Sequence, residues 1–395
     1  MAGISALGTN YNLPNYTGIL HALTPFETPF FSAIGGLSGG GQTTSTEFEW
    51  QTYDLRAAAQ PDILEGADAP TLTGRVRANV TNVVQIHQSA VGVAYSKAAA
   101  TARLATSAGG APNPVTNELD WQVAQELSAM VRDINYSFIN GTYQKPSDNT
   151  TSRKTRGMLA AISTNAMLSD ETLVGDGAST WEADDETITE ASHGLAVGDR
   201  VRISITSGAT GATAGYFFVI TVPSSSTFTV STTKGGSTQA ISADGVINVY
   251  KQSALTVDKI NRSLQTVYDA GGLRGGMATL MGNSDQKIAI SAAYANAYGK
   301  FTETSRNVGG VNVTSIESDF GPLNVMLEPM VPKGTLVIAT LNECRPVYLE
   351  VPSKGHFFAE PLAKTGATDR TQLYGEVGLD YGAELHHGKI TGLPY

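Results

Sequence analysis

The sequence predicts an α+β fold organised around one long helix, with a small all-β segment inserted into it. Three observations carry that expectation. Leu119, Val123, Leu127, Val131, Ile134 and Phe138 recur three or four residues apart, which lines one face of a helix. Within residues 43–95, Phe48 and Trp50 alternate with Glu47, Glu49 and Gln51, and Val80, Val83, Val84, Ile86, Val91, Val93 and Tyr95 form a β-branched return run. Residues 170–252 are dominated by Thr, Ser, Gly and Val without helical period, and that period resumes at Leu255, Ile260, Leu264 and Val267. A helical pattern on both sides of a β block indicates insertion into a host domain.

In chain order, residues 1–42 read as an arm. Its apolar residues beyond the first turn include Ile19, Leu20, Leu23, Phe26, Phe30, Phe31 and Ile34, and Pro14, Pro25 and Pro29 hold much of it extended. Gly35-Gly36 and Gly39-Gly40-Gly41 make a flexible exit. Such an arm has no core for its aromatic residues, so it is expected to lie on a neighbouring chain. Residues 43–95 read as a long β-hairpin whose polar, acidic tip holds Pro61, Asp62, Glu65, Gly66, Asp68 and Pro70. That connection is too long for a tight turn and reads as a projecting loop.

The long helix is expected over 114–140, with Pro114 at its first position and Asn140-Gly141 as its stop. At 1.5 Å per residue it spans roughly 39 Å, enough to act as a spine. A basic loop follows, with Lys145, Arg153, Lys154 and Arg156, then a short apolar helix over 157–163. In the β block the candidate strands are 187–188, 200–205, 216–222, 227–231 and 246–250, as in a small sandwich or barrel. Beyond it, 278–281 reads as a buried strand and 284–297 as a helix. Residues 311–316 and 323–327 read as strands paired about Asp319-Phe320-Gly321-Pro322, 335–340 as a further strand, and 372–385 as an antiparallel pair.

Composition narrows the function. The net charge is −10, from 26 Lys and Arg against 36 Asp and Glu. Tight nucleic-acid binding needs clustered cations to displace counterions, so it is disfavoured; a wall that encloses DNA without adhering to it is not. Charged residues are 16 % of the chain, against about 25 % in ordinary soluble domains, which suits a surface covered by other protein. The single cysteine, Cys344, excludes an internal disulfide and a multi-cysteine metal site. No stretch reaches the ~18 apolar residues of a membrane span, and residues 1–15 hold neither the cation nor the apolar run of a secretory signal.

Candidate chemical sites have weak support. His386-His387 would point to opposite faces of a strand, and His21, His87, His193 and His356 are scattered. Asp184-Asp185-Glu186 lacks calcium-loop spacing, and Gly35 to Gly41 lacks the Gly-Lys-Ser/Thr ending of a phosphate loop. Ser32, Ser96 and Ser128 have no nucleophile elbow. Glu65 and Asp68 read as an exposed acidic loop that meets a neighbour's cations, and Arg153, Lys154 and Arg156 as a small patch that touches DNA or a neighbour's carboxylates, the second favoured because the patch is small. No catalytic, cofactor-binding or metal residues are expected. The candidates for contact between subunits are Phe30, Phe31, Phe48, Trp50, Glu65, Asp68, Arg153 and Arg156.

The order of parts, together with Thr24-Pro25-Phe26-Glu27-Thr28-Pro29-Phe30-Phe31-Ser32-Ala33-Ile34-Gly35, Phe48-Glu49-Trp50-Gln51, Glu65-Gly66-Ala67-Asp68 and Thr155-Arg156-Gly157-Met158-Leu159, resembles the major capsid proteins of tailed bacteriophages. These share the fold named after phage HK-ninety-seven. The resemblance covers most of 20–165 and 253–395. It implies an N-terminal arm at 1–42, an E-loop at 43–95 lying over an adjacent subunit, and a peripheral domain at 96–169 with its spine helix at 114–140. It further implies an inserted β domain at 170–252, a mainly axial domain at 253–350 and a return to peripheral strands at 351–395. The insertion resembles small β modules of phage structural proteins, notably in His193-Gly194-Leu195-Ala196-Val197-Gly198-Asp199, and is expected to face outward.

The implied function is self-assembly into hexamers and pentamers of an icosahedral head that encloses double-stranded DNA, within the virion capsid and assembled in the host cytoplasm. The implied partners are copies of the chain, a separate scaffolding protein, a portal and a decoration protein; no cofactor or membrane is implied. A separate scaffold is expected because no long helical scaffolding segment precedes the arm. The prototype's crosslink needs a lysine and an asparagine from different chains, and Lys97, Lys364 and Lys389 match no such role. The alternative reading is a phage or bacterial surface adhesion protein with a glycan-binding β module, for which the spine helix and the α+β region have no use.

Overall fold

The chain folds as two units, Met1–Gly157 with Arg345–Asp380 and Met158–Cys344 with Tyr381–Tyr395. The computed structural model describes residues 27–60, 62–69, 71, 74–104, 115, 117–169, 171–175, 177–273, 278–297, 315–364 and 366–395. The arm over 1–26, Pro61 and Pro70 of the loop, the expected helix start at Asn113-Pro114 and the strand start at 311–314 lie outside the described residues.

In the first unit the apolar stripe forms the helix Glu118–Asn140. Asn117 caps it by accepting from the Leu119 backbone N–H at 3.1 Å, and Glu118 and Asp120 place negative charge at its positive end. Asn140-Gly141 is the stop: the Gly141 N–H donates to the Ser137 carbonyl at 2.8 Å. A Cβ at Gly141 would lie 2.2 Å from the Ser137 oxygen and 2.6 Å from the Thr155 oxygen, so the close approach requires glycine. Burial is concentrated in the second half of the stripe, at Met130, Ile134, Phe138 and Ile139, whereas Leu119, Val123 and Leu127 are only half-buried.

The unit's sheet runs Gly41–Thr43, Arg345–Leu349, Thr368–Asp380, Phe357–Pro361, with Gln85–Ala94 on the opposite edge of Thr368–Asp380. Gln372 shows the arrangement: it is register partner to Glu360 on one side and Ala90 on the other. The antiparallel pair expected over 372–385 is therefore one central strand. Alternation in a sequence marks a strand and leaves its partners unspecified, and here they come from far along the chain.

The expected hairpin also divides. Glu47–Tyr53 pairs with Arg77–Val83 as a separate two-stranded ribbon, from Glu47↔Val83 to Tyr53↔Arg77. After Val84 the chain enters the main sheet as Gln85–Ala94.

In the second unit, Ser179–Trp181, Ile188–Thr189, Thr227–Ser231, Gly215–Ser224, Arg200–Gly208 and Gly245–Gln252 pair in that order. Gly245–Gln252 then pairs with Ser179–Trp181, so the six strands close into an antiparallel barrel. Closure removes free edges. Trp181, Ile188, Ile203, Phe217, Phe228 and Ile247 fill the interior. The expected strands at 200–205, 216–222, 227–231 and 246–250 lie within barrel strands. The strand expected at 187–188 sits one residue later, and the three-residue strands Glu171–Leu173 and Ser179–Trp181 were too short to show a period.

The barrel is joined to the rest of its unit at two places. Lys259, 4 % exposed on the helix Val257–Asp269, donates from Nζ to Ser169 Oγ at 2.9 Å, to the Ser253 and Ala254 carbonyls at 3.2 and 3.0 Å, and to Ser253 Oγ. This ammonium thus holds the chain segments that enter and leave the barrel. Arg200 donates to the Leu393 carbonyl at 2.6 Å and lies over the Tyr395 ring at 4.4 Å, while Phe218 packs edge-on against Tyr395.

The second sheet of this unit has six strands in the order Ser315–Ser318, Gly321–Leu327, Ala278–Gly282, Leu336–Ala339, Gly388–Thr391, Ala166–Leu168. Leu280, Leu336, Ile338 and Ile390 form its core with Ile260 and Leu264 from Val257–Asp269 and Ile290 from the helix Ser284–Ala297. Residues 158–169 and 381–395 thus belong to this unit and 345–350 to the other, which differs from the boundaries expected at 169, 350 and 351. The chain passes between units in mid-run, and a composition profile carries no mark where strand partners change.

Candidate assembly surface

The ribbon Glu47–Tyr53/Arg77–Val83 stands on a buried polar foundation. Asn82 is fully buried and uses its whole amide. Its Nδ2 donates to the Leu379 carbonyl at 2.7 Å and the Arg156 carbonyl at 3.2 Å, and its Oδ1 accepts from the Arg156 and Val83 N–H groups, both at 2.9 Å. Thr155, also fully buried, accepts at Oγ1 from the Leu379 N–H at 3.2 Å, and its own N–H donates to Gln85 Oε1 at 3.2 Å. The ribbon root, the 153–157 segment and the central strand are thereby locked together. Phe48 packs against this strand at Gly378. A Cβ at Gly378 would come within 2.6 Å of its ring, so only glycine admits it.

Away from the root the ribbon is bare. Tyr53, Leu55, Ile63, Leu64 and Val76 are 70, 73, 66, 82 and 88 % exposed. Besides the expected acidic residues, the tip thus carries large apolar groups. The signal was present in the spacing of Leu55, Ile63 and Leu64 but was masked by the surrounding charge. Glu65 and Asp68 are exposed at the tip. Phe48 and Trp50 stack at 5.9 Å with 27° between their planes and are half-buried.

Four other candidates have partners within their own chain. Phe30 and Phe31 were expected on a neighbour and are instead 0 and 1 % exposed, so their aromatic surface is already used. Phe31 packs edge-on against Phe138 at 5.7 Å, and its N–H donates to Asn135 Oδ1 at 3.0 Å. The short helix Pro29–Ala33 places both rings inward. The strand Gly41–Thr43 runs parallel to Arg345–Leu349, and Tyr348 Oη donates to the Gly36 carbonyl at 2.7 Å. The arm's described part, from residue 27, therefore folds onto its own unit. Arg153 pairs with the buried Glu376 at 2.9 Å, and Tyr374 Oη donates to the same carboxylate at 2.6 Å. Burial pushes the Tyr374 phenol up to about 12, which keeps it a donor. Arg156 lies over the Tyr143 ring at 4.4 Å. Both arginines are structural parts of the foundation.

The histidine pair is held by unrelated partners. His387, fully buried, accepts at Nδ1 from the Thr340 N–H at 3.2 Å and donates from Nε2 to the Tyr381 carbonyl at 2.7 Å. His386 Nδ1 faces Glu343 at 2.7 Å.

His87, 7 % exposed on Gln85–Ala94, has its pKa lowered to about 4 by burial. Because the unfolded chain binds this proton more readily, the group's stability contribution is intact above about 6.5 and is lost as pH falls toward 4. A shift of that size corresponds to about 3 kcal/mol. Urea unfolding across pH 4–6.5 will show this loss, and His87→Gln will flatten it. An unchanged slope in the variant would assign the acid sensitivity elsewhere.

A unit built on a long helix and a mixed sheet, a projecting β-ribbon and a second α+β unit together make a phage-type capsid subunit. Solved structures share the fold: a Cyanophage A-1(L) capsid asymmetric unit has a TM-score of 0.55 at 11 % identity, covering 98 % of this chain and 99 % of that one. The capsid of a native GTA particle gives 0.51 at 14 % identity, covering 98 and 97 %. A Mycobacterium phage Adephagia chain gives 0.51 at 12 %, covering 99 and 98 %. The sequence profile of the SU10 major capsid protein matches residues 3–394, and the chain belongs to that family. No curated protein matches the sequence. The protein is thus a structural, non-enzymatic subunit of an icosahedral phage head, located in the virion capsid. The family match runs through the barrel, which displaces the adhesin reading.

Proposed function

We propose that the first unit is the peripheral domain and the second the axial domain of a subunit that closes hexamers and pentamers by laying its β-ribbon over the adjacent copy. The observation that carries this reading is the pairing of a rigid root with an apolar tip: Asn82 and Thr155 are fully buried, while Leu64 and Val76 stand 82 and 88 % exposed. A loop with no core of its own gains by covering a sister chain, and obligate interfaces of this kind bury on the order of 2,000–5,000 Å². Glu65, Asp68 and the Phe48–Trp50 stack are contact residues in this reading, and residues 1–26 complete the arm.

The barrel is an inserted module facing outward, because it closes on itself and leaves no strand edge to continue a lattice. Scaffolding, portal and decoration proteins are separate chains. Expression of the full chain with a scaffolding protein and negative-stain microscopy test the reading. Closed particles with hexameric and pentameric units are expected; a strict monomer at high concentration with scaffold present would overturn it.

A further inference from the structure

We propose that the cleft between strand Gln85–Ala94 and helix Glu118–Asn140 is the socket for the arginines at the outer end of a neighbouring copy's paired β-ribbon. The inference rests on the ribbon reading above and gives that contact its partner residues. The cleft holds about 390 Å³ and is lined by Gln85, His87, Ser89, Glu126, Asp133 and Tyr136, among others. Glu126, Met130, Asp133 and Ser137 follow one another at helical spacing, so both carboxylates occupy the helix face turned toward the strand.

Three features mark the cleft as unfilled. His87 is more than nine-tenths buried, lines the cleft, and has a ring Nε2 with no hydrogen-bond partner. Asp133, exposed at the rim of the cleft, has no hydrogen bond or ion pair among the described residues, and partial desolvation raises its pKa against the Arg132 charge, with Glu126 adding to the rise. Glu126 has only a hydroxyl, accepting from Ser89 Oγ at 2.6 Å. Strand Gln85–Ala94 is also hydrogen-bonded along one edge only among the described residues, so the wall beside the cleft is open.

The complementary charge sits on the ribbon. Arg77 stands in the last register pair, Tyr53↔Arg77, and Arg56 and Arg75 follow three and two residues beyond it, before the acidic tip of Asp62, Glu65 and Asp68. All three are exposed, and among the described residues none has a carboxylate partner. Arg75 lies seven residues before the buried anchor Asn82, about 24 Å of extended strand from it, which carries the guanidinium beyond its own root. A planar guanidinium supplies what the cleft lacks: two carboxylates receive a cation, and the neutral imidazole receives an N–H donor.

A charge swap in the full chain tests this. Glu126→Lys with Asp133→Lys, and separately Arg75→Glu with Arg77→Glu, are expected to lower particle yield about ten-fold, since like charges at an interface are repelled. All four substitutions together are expected to restore it. Glu126→Gln with Asp133→Asn, which keeps the shape, is the milder arm should the reversal fail to fold, and it is expected to lower the yield as well. Leu55→Ser with Leu64→Ser tests the ribbon itself. Wild-type yield from both cleft variants alongside failure of the leucine variant would overturn the socket and leave the ribbon contact standing. Failure of the four-fold variant to recover, with each reversal folded, would overturn the arginine assignment. Wild-type yield from the leucine variant would remove the ribbon reading and the socket with it.

Discussion

Replacing residues 54–76 by Asn-Gly will give a folded chain that sediments as a monomer and forms no particles. Tyr53 and Arg77 are register partners, so a two-residue turn closes the ribbon where its pairing already ends. The anchors at Asn82 and Thr155 are untouched, and the excised segment contributes no described residue to the buried core. Thermal unfolding should therefore stay close to that of the intact chain. What is removed is the exposed group of Leu55, Ile63, Leu64 and Val76, each worth about 1.5–3 kcal/mol on full burial. If the ribbon covers the adjacent copy as proposed, every subunit repeats the contact, and its loss removes the drive for closure. Velocity sedimentation and microscopy of the excised chain check the result; normal particles would show that the ribbon is dispensable.

Asn82→Leu will destabilise the first unit by about 4 kcal/mol, because each orphaned buried polar group costs about 1–3 kcal/mol and relaxation recovers part of it. The substitution leaves the Leu379 and Arg156 carbonyls and the Arg156 N–H without the partners described above, in a site with no access to water. Leucine keeps the branched outline of asparagine with somewhat bulkier ends, so no cavity opens and the effect reports chiefly the lost hydrogen bonding. Asn82→Asp will also be severe, since it retains the acceptor, loses both donors and buries a charge. Urea denaturation of wild type and variant gives the difference directly. A loss below about 1 kcal/mol would mean that the ribbon root is held by packing alone.

The elements of the fold and the candidate contact residues were unevenly legible. The long helix and its Gly141 stop could be read because apolar spacing and glycine geometry are local properties. The barrel was visible as a block without helical period, and its strands Arg200–Gly208, Gly215–Ser224, Thr227–Ser231 and Gly245–Gln252 could be placed from alternation and turns. Phe30 and Phe31 were misplaced because an aromatic pair on a proline-rich arm reads the same whether it covers a neighbour or its own helix. Their burial against Phe138 is decided by a residue more than a hundred positions away. Arg153 and Arg156 read as surface charge for a similar reason: Glu376 and Tyr143 became their partners only through folding.

By itself the sequence determined most element types, the β-rich block and the kinship with phage shell proteins, since period, composition and short motifs are written along the chain. Only the tertiary structure decided which strands pair, where the chain passes between units, that Asn82 is the ribbon's anchor and that apolar groups crowd its tip. Pairing and burial depend on residues far apart in sequence that meet in space, and no local pattern encodes that meeting.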